Sequence, residues 1–321
     1  MTKEDLRIVF MGTPDFAKAS LQALVNNKFN VVGAFCKEDK PKGRGMKLVV
    51  PPVKEYALEN NIEVYQPNKI KNNPEVMEKL KEWNPNLIIV VAYGKILPID
   101  ILDYPKYGCI NVHGSILPKY RGAAPIQWAV INGDSKTGVT TMYMDEGMDT
   151  GDIITISEIP IENKDTYETV HDKLMVVGAN ILVEDLEKLI KNNGKLDRNK
   201  QPDNFTIAPM LSKDNSRINF NDTADSICNL IRGTNPLPSA WCKLDDERTY
   251  KIYEAERIDY EVDYQAKLGE IVALNDKKNL FVVRCKDGYV NFLKLKAPGT
   301  RLMTAAEYIR GGKVKEKEIF N

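Results

Sequence analysis

Apolar runs of strand length alternate with amphipathic stretches through the first half of the chain. Residues 6–11 (LRIVFM) read as a buried strand, and Gly12-Thr13-Pro14 as a strand-to-helix turn with Thr13 as N-cap and Pro14 at the first helical position. Phe16, Leu21, Leu24 and Val25 then recur at helical spacing, and 31–35 (VVGAF) is the next strand. Strand, helix, strand in that order implies a parallel pair. The pattern continues with a short strand at 62–65, a charged helix over 74–82, and the run 87–93 (LIIVVAY), apolar on both faces as a central strand must be. Residues 109–113 follow as a strand, and 167–191 form a long amphipathic helix with Leu174, Val177, Ile181, Leu186 and Leu189 on its apolar side. The expected architecture is α/β: an open, mostly parallel Rossmann-like sheet with helices on both faces.

Past this helix the pattern changes. Residues 191–203 are polar with almost no core formers, the composition of a linker. A short helix near 224–232 and β-like runs at 249–258, 269–274, 280–285 and 289–295 then predict a small β-barrel of OB-like type. The expected division is 1–190, a linker at 191–206, and 207–321.

Composition narrows the class. A chain of 321 residues is long enough for two cores. No stretch approaches the roughly 20 apolar residues of a membrane span, and the charged start Met1-Thr2-Lys3-Glu4-Asp5 runs into a strand and not a signal segment, so a cytoplasmic protein is expected. Five cysteines without C-x-x-C spacing suggest buried thiols, not zinc or disulfides. The net charge of zero argues against a polyanionic partner until its distribution is considered. Residues 277–321 carry eleven Lys/Arg against four Asp/Glu, whereas 213–276 carry eight against thirteen. The segment 37–47 (KEDKPKGRGMK) adds five basic side chains against two acidic ones, and Pro41, Gly43 and Gly45 predict a mobile cationic loop without regular structure. Folding around a phosphate backbone, its Lys40, Lys42, Arg44 and Lys47 would add affinity through counterion release.

Asn111 and His113 carry the candidate chemistry. Residues i and i+2 of a strand share a face, so an amide and an imidazole project together from the strand end, where open α/β sheets bind their ligands. Gly114-Ser115 and the proline- and glycine-punctuated stretch 117–125 continue as a non-helical cleft wall. A turn at 144–151 (MDEGMDTG) supplies a carboxylate: Asp149 is the candidate, with Asp145, Glu146 and Asp152 competing. The second histidine, His171, lies inside the long helix and is assigned no role. A dinucleotide fingerprint is excluded because Pro14 stands where the second glycine must offer an N–H, and no Gly-Lys-Ser/Thr follows 42–45 to make a P-loop. No metal-ligand cluster is visible. No serine or cysteine is paired with a base, so a direct attack without an acyl-enzyme is expected.

At these motifs the chain resembles the formyltetrahydrofolate-dependent formyltransferase family over nearly its full length. The residues that carry the resemblance are 9–16 (VFMGTPDF), 43–45 (GRG), 91–94 (VAYG), 111–118 (NVHGSILP), 120–127 (YRGAAPIQ) and 148–152 (MDTGD). H-G-S-x-L-P and D-T-G are common to the family; the 42–47 loop, the A-A-P-I-Q continuation and the basic C-terminal domain resemble its tRNA-acting branch. The resemblance implies transfer of the formyl group of 10-formyltetrahydrofolate, a co-substrate, to the α-amine of methionyl-initiator tRNA, by a protein expected to be monomeric. It implies catalytic roles for Asn111, His113 and Asp149, folate binding by Tyr93, Gly94, Ser115, Ile116, Leu117 and Pro118, and tRNA contact by the 37–47 loop, Arg44 above all, and by the C-terminal domain. Ile116 stands where leucine is usual, an apolar exchange of little expected consequence.

Overall fold

The computed structural model of the protein describes residues 1–42, 47–244 and 248–321. In chain order the first elements are β1 (Ile8–Gly12), α1 (Asp15–Asn26), β2 (Val31–Phe35), β3 (Lys40–Lys42), β4 (Lys47–Val49), α2 (Pro52–Glu59), β5 (Val64–Tyr65), α3 (Pro74–Trp83) and β6 (Leu87–Val91). They are followed by α4 (Ile99–Leu102), β7 (Cys109–His113), β8 (Arg121–Gly122), α5 (Pro125–Ile131), β9 (Lys136–Tyr143), β10 (Ile153–Pro160), α6 (Tyr167–Lys191) and β11 (Ile207–Ala208). Seven strands form one sheet in the order β10-β9-β7-β6-β1-β2-β5. The pairs β1–β2, β1–β6, β6–β7 and β2–β5 are parallel, and β7–β9 is antiparallel. Every residue of β1, β6 and β7 is buried, as the unbroken apolar runs of β1 and β6 require of strands covered on both faces.

Two local expectations need correction. Pro14, not Thr13, is the N-cap of α1, with no side-chain capping bond. The Thr13 hydroxyl instead accepts the Lys37 N–H at 3.2 Å and reaches the Tyr93 carbonyl at 3.5 Å, tying together the ends of β1, β2 and β6. Regular structure also occurs at both ends of the segment 37–47, whose residues 43–46 lie outside the described residues: β3 and β4 pair antiparallel, Lys40 opposite Val49 and Lys42 opposite Lys47. Proline tolerates an edge position in a two-stranded ribbon, because only its unpaired side lacks a donor. At the ribbon's base the Asp39 carboxylate accepts from Lys54 Nζ at 2.8 Å and Gln66 Nε2 at 2.9 Å, and these bonds, Lys54 foremost, hold it below the usual carboxylate range.

The remaining elements are α7 (Ala224–Gly233), β12 (Ala240–Lys243), β13 (Thr249–Ile258), β14 (Ile271–Asn275), β15 (Leu280–Cys285), β16 (Gly288–Lys296), β17 (Met303–Thr304) and α8 (Ala305–Arg310). Strands β12-β13-β16-β15-β14 neighbour one another in that order, with β17 on β16, through antiparallel pairs. The chain's last residues join the two outer strands: Leu244 bridges Phe320 at one side and Glu270 bridges Ile319 at the other. That closes the sheet into a barrel and removes its edges. Phe320, 2% exposed, packs its ring against Phe220, Tyr250, Phe281 and Phe292, with centroids 5.2 to 6.1 Å apart.

The chain divides into two compact units, one of residues 1–125, 137–159 and 171–208, the other of 126–136, 160–170 and 209–321. A single cut in sequence does not describe this division. Within the second unit, Trp128 Nε1 donates to the Pro209 carbonyl at 2.8 Å and Arg232 Nη1 to the Asp165 carbonyl at 3.1 Å, which draws the two inserted segments to the C-terminal residues. Residues 191–208, polar enough to read as a linker, belong to the first unit. Asn199 exchanges both backbone hydrogen bonds with Ile153, at 2.8 and 3.0 Å, and β11 pairs with β8. No helix among the described residues is long and apolar enough to cross a membrane.

Candidate active site

The site is built around the end of β7. Asn111 pairs with Val90 and Met142, and His113 with Thr140, so both side chains are carried on a strand clamped from either side. They are 9% and 6% exposed. The His113 ring is fixed by its neighbours: Nε2 lies 2.9 Å from the Tyr120 carbonyl oxygen and Nδ1 lies 3.7 Å from Asp149 Oδ2. A carbonyl can only accept, so Nε2 carries the hydrogen, and Nδ1 is the nitrogen left to face the carboxylate.

Asp149 reaches the ring from the turn between β9 and β10. Its backbone is left-handed (φ +55°), a conformation aspartate tolerates better than most residues, and its Oδ2 accepts the Gly122 N–H at 2.8 Å. Tyr120 (φ +62°) and Gly122 (φ +124°) on the facing segment are also left-handed. Tyr120 and Asp149, two non-glycine residues at positive φ, both meet the one imidazole, a clustering of backbone strain of the kind found at functional sites. Of the competing carboxylates, Asp145 and Glu146 are exposed; Asp145 Oδ1 caps its own turn through the Gly147 N–H at 3.1 Å and the Thr150 hydroxyl. Among the described residues, of Asp145, Glu146, Asp149 and Asp152 it is Asp149 that makes the contact with His113. His171 packs its ring on Phe16 at 5.5 Å and lies 3.0 Å from Asp172 Oδ1.

The residues expected to hold folate divide sharply. Ser115 is fully buried, its hydroxyl donating to the Lys119 carbonyl at 2.6 Å, and Leu117 is 2% exposed. Thr140 Oγ1 locks the segment by accepting the Leu117 N–H at 3.1 Å and donating to the Ser115 carbonyl at 2.7 Å. Ile116 and Pro118 remain partly exposed. The Tyr93 side chain is 1% exposed among Met11, Phe35 and Leu97, and burial pushes its hydroxyl far up from its ordinary value. What the strand end offers instead is backbone, since Ala92 (φ +46°) and Gly94 (φ +69°) are exposed and turned out of strand geometry. A Cβ on Gly94 would come within 2.3 Å of Lys37 Nζ. That ammonium is pulled below its ordinary value by burial first and by Lys40 and Lys95 after it.

Among the expected tRNA-contacting residues, Lys40 is exposed at the start of β3, Lys42 and Lys47 are paired through their backbones, and Arg44 lies outside the described residues. Among the described residues no group of three or more His, Cys, Asp or Glu is arranged to hold a metal ion. Sequence reasoning assigned no role to the Tyr120 carbonyl, the Gly122 N–H or Gln201. The first two belong to a glycine-punctuated stretch that signals irregular backbone, whereas nothing in the polar run around Gln201 marks it.

A strand-end amide and imidazole, with a carboxylate from the neighbouring turn 3.7 Å from the imidazole, make up the candidate site. Residues 6–186 match the formyl transferase family and 210–313 its C-terminal domain, so the chain belongs to the formyl transferase family. Its relatives carry a narrower name. The methionyl-tRNA formyltransferase of Acetivibrio thermocellus is 47% identical over 98% of this chain and 99% of its own, and that of Clostridium acetobutylicum is 46% identical over the same shares. The crystal structure of HypX from Aquifex aeolicus in complex with tetrahydrofolic acid superposes with a TM-score of 0.61 at 18% identity. It covers 97% of this chain, which spans 48% of HypX, and the likeness is one of fold.

Proposed function

We propose that the protein transfers the formyl group of 10-formyltetrahydrofolate to the α-amine of methionyl-initiator tRNA. The observation that supports the reading is the contact of Asp149 with His113 at the strand end that also carries Asn111, in a chain that matches a methionyl-tRNA formyltransferase over 98% of its length. In this reading residues 1–190 hold the chemistry, Lys40, Lys42 and Lys47 of the β3–β4 ribbon meet the acceptor arm together with Arg44, which lies outside the described residues, and the basic end of the barrel domain meets the rest of the tRNA. The protein works as a cytoplasmic monomer.

The folate donor supplies an activated formyl carbon. The exposed peptide groups of 92–94 and the partly exposed Ile116 and Pro118 suit the flat polar edge and apolar face of a pterin. The α-amine attacks the formyl carbon; the new C–N bond forms as the bond to the folate nitrogen breaks, and the proton lost by the amine ends on that nitrogen. Charge develops on the formyl oxygen, where Asn111 donates from its amide. His113 donates from Nδ1, because Nε2 is committed to Tyr120. As the folate nitrogen leaves, Nδ1 passes it this proton and is reprotonated by the attacking amine, and Asp149 stabilises the imidazolium at both ends of the exchange.

The test is formyl transfer from 10-formyltetrahydrofolate with methionyl-initiator tRNA, glycinamide ribonucleotide and water offered in parallel, with His113→Ala as control. Product on the tRNA alone, lost in the variant, is expected. Transfer to another acceptor sinks the tRNA assignment, and folate binding without transfer sinks the catalytic one.

A further inference from the structure

Gln201 lies in the polar segment between the long helix and β11, yet its side chain is half-buried and uses every hydrogen-bonding valence it has. Nε2 donates to the Asp149 carbonyl and to the Gly151 carbonyl, each at 2.8 Å. Oε1 accepts from Arg121 Nε at 3.0 Å and Nη2 at 2.7 Å. Two donors and two lone pairs exhaust a carboxamide. Its orientation is therefore dictated: reversing it would set its NH2 against a guanidinium and its oxygen against two carbonyls.

The two groups it joins are the two sides of the catalytic contact. Asp149 lies in the turn between β9 and β10, and Arg121 precedes Gly122, whose N–H holds the Asp149 carboxylate. Arg121 is itself buried, 8% exposed, with its guanidinium over the Phe205 ring at 4.6 Å, so it is a firm anchor. We propose that Gln201 is a positioning residue: it fixes the left-handed backbone of Asp149 against the Arg121–Gly122 segment and so sets the carboxylate at His113. The inference rests on the reading of Asp149 as the proton partner of His113. Gln201 touches no reacting atom and acts wholly through Asp149.

The geometry makes Gln201→Glu the informative substitution. A carboxylate keeps the Arg121 pairing and strengthens it, but it has no hydrogen for the carbonyls of Asp149 and Gly151 and repels both. Gln201→Ala removes both halves. The segment stays docked in either variant through the Asn199–Ile153 backbone bonds and the β11–β8 pair.

Formyl transfer is measured for Gln201→Glu, Gln201→Ala, Asp149→Asn and the double variant Asp149→Asn with Gln201→Ala, with kcat, KM for the folate donor, the pH profile of kcat and thermal unfolding recorded for each. A misplacement on the scale of 1 Å costs about a hundredfold. Gln201→Glu and Gln201→Ala are therefore expected to lose about ten- to a hundredfold in kcat with KM within about threefold. The shape of the pH profile changes in both, which a merely loosened fold does not produce. Acting only through Asp149, the Gln201 change costs nothing further in the Asp149→Asn background. Full rate in the Gln201 variants beside a crippled Asp149→Asn overturns the inference, as does recovery in Gln201→Glu or additive loss in the double variant. A near-normal Asp149→Asn overturns the reading on which the inference stands and is distinguished by that single result.

Discussion

Asp149→Asn isolates one physical quantity. Asparagine is the replacement of choice because, like aspartate, it tolerates the left-handed backbone at this position, and its amide oxygen can keep the 2.8 Å bond from Gly122. What disappears is the negative charge 3.7 Å from His113 Nδ1. Two unit charges at that separation interact by about 4 kcal/mol at the effective dielectric of about 20 that suits partly buried pairs. Both side chains are shielded from solvent, at 7% and 17% exposure, so little of this is screened away. Positive charge that develops on the imidazole in the transition state loses this support; allowing for the dipole the amide retains, the loss is about 3 kcal/mol, a factor of roughly a hundred in rate. The assay is single-turnover formylation of methionyl-initiator tRNA at saturating folate donor, which reads the chemical step apart from product release. Folate affinity and the thermal midpoint are expected to stay near their wild-type values. A rate within threefold of wild type in a folded variant would refute the argument, because it would mean that no charge is needed where the structure puts one.

Other elements give sharper tests of the scaffold. Asp185 is fully buried on α6, where its carboxylate accepts from the hydroxyls of Thr141 on β9 and Thr155 on β10 and pairs with Lys188 at 3.1 Å. Asp185→Ala orphans buried donors and should cost about 3 kcal/mol in urea unfolding; an unchanged midpoint would refute the network's role. Phe320→Ala removes the aromatic centre of the barrel one residue from the chain end, with an expected loss of about 4 kcal/mol from the C-terminal unit, read by hydrogen exchange across β12 and β14. Protection left intact in those strands would show that barrel closure does not depend on this ring. Burial pushes the thiols of Cys36, Cys109 and Cys228 up to about 12, and raises those of Cys242 and Cys285 as well. A thiol reagent at pH 8 should thus label none of the five quickly in the native protein and all five after unfolding; a fast native reaction would contradict the packing around that thiol.

Periodicity alone determined the repeating strand-helix order, the burial of β1 and β6, the full extent of α6 and the β-rich end of the chain, because hydrophobic spacing is a local record of which face is covered. The i, i+2 spacing likewise placed Asn111 and His113 together at the end of one strand. The choice of Asp149 from four nearby carboxylates was decided by a left-handed turn and by the Gly122 N–H that receives its side chain, contacts 27 residues apart in sequence. The paired ribbon within a glycine-rich cationic stretch, and the withdrawal of Tyr93 into the core, depend on which neighbours each segment meets. Gln201 is the extreme case. Its composition reads as linker, and only the folded chain, by bringing two carbonyls and a guanidinium to one amide, gives it a task. Side-chain valence is spent in three dimensions, and a one-dimensional pattern records only the part that depends on water.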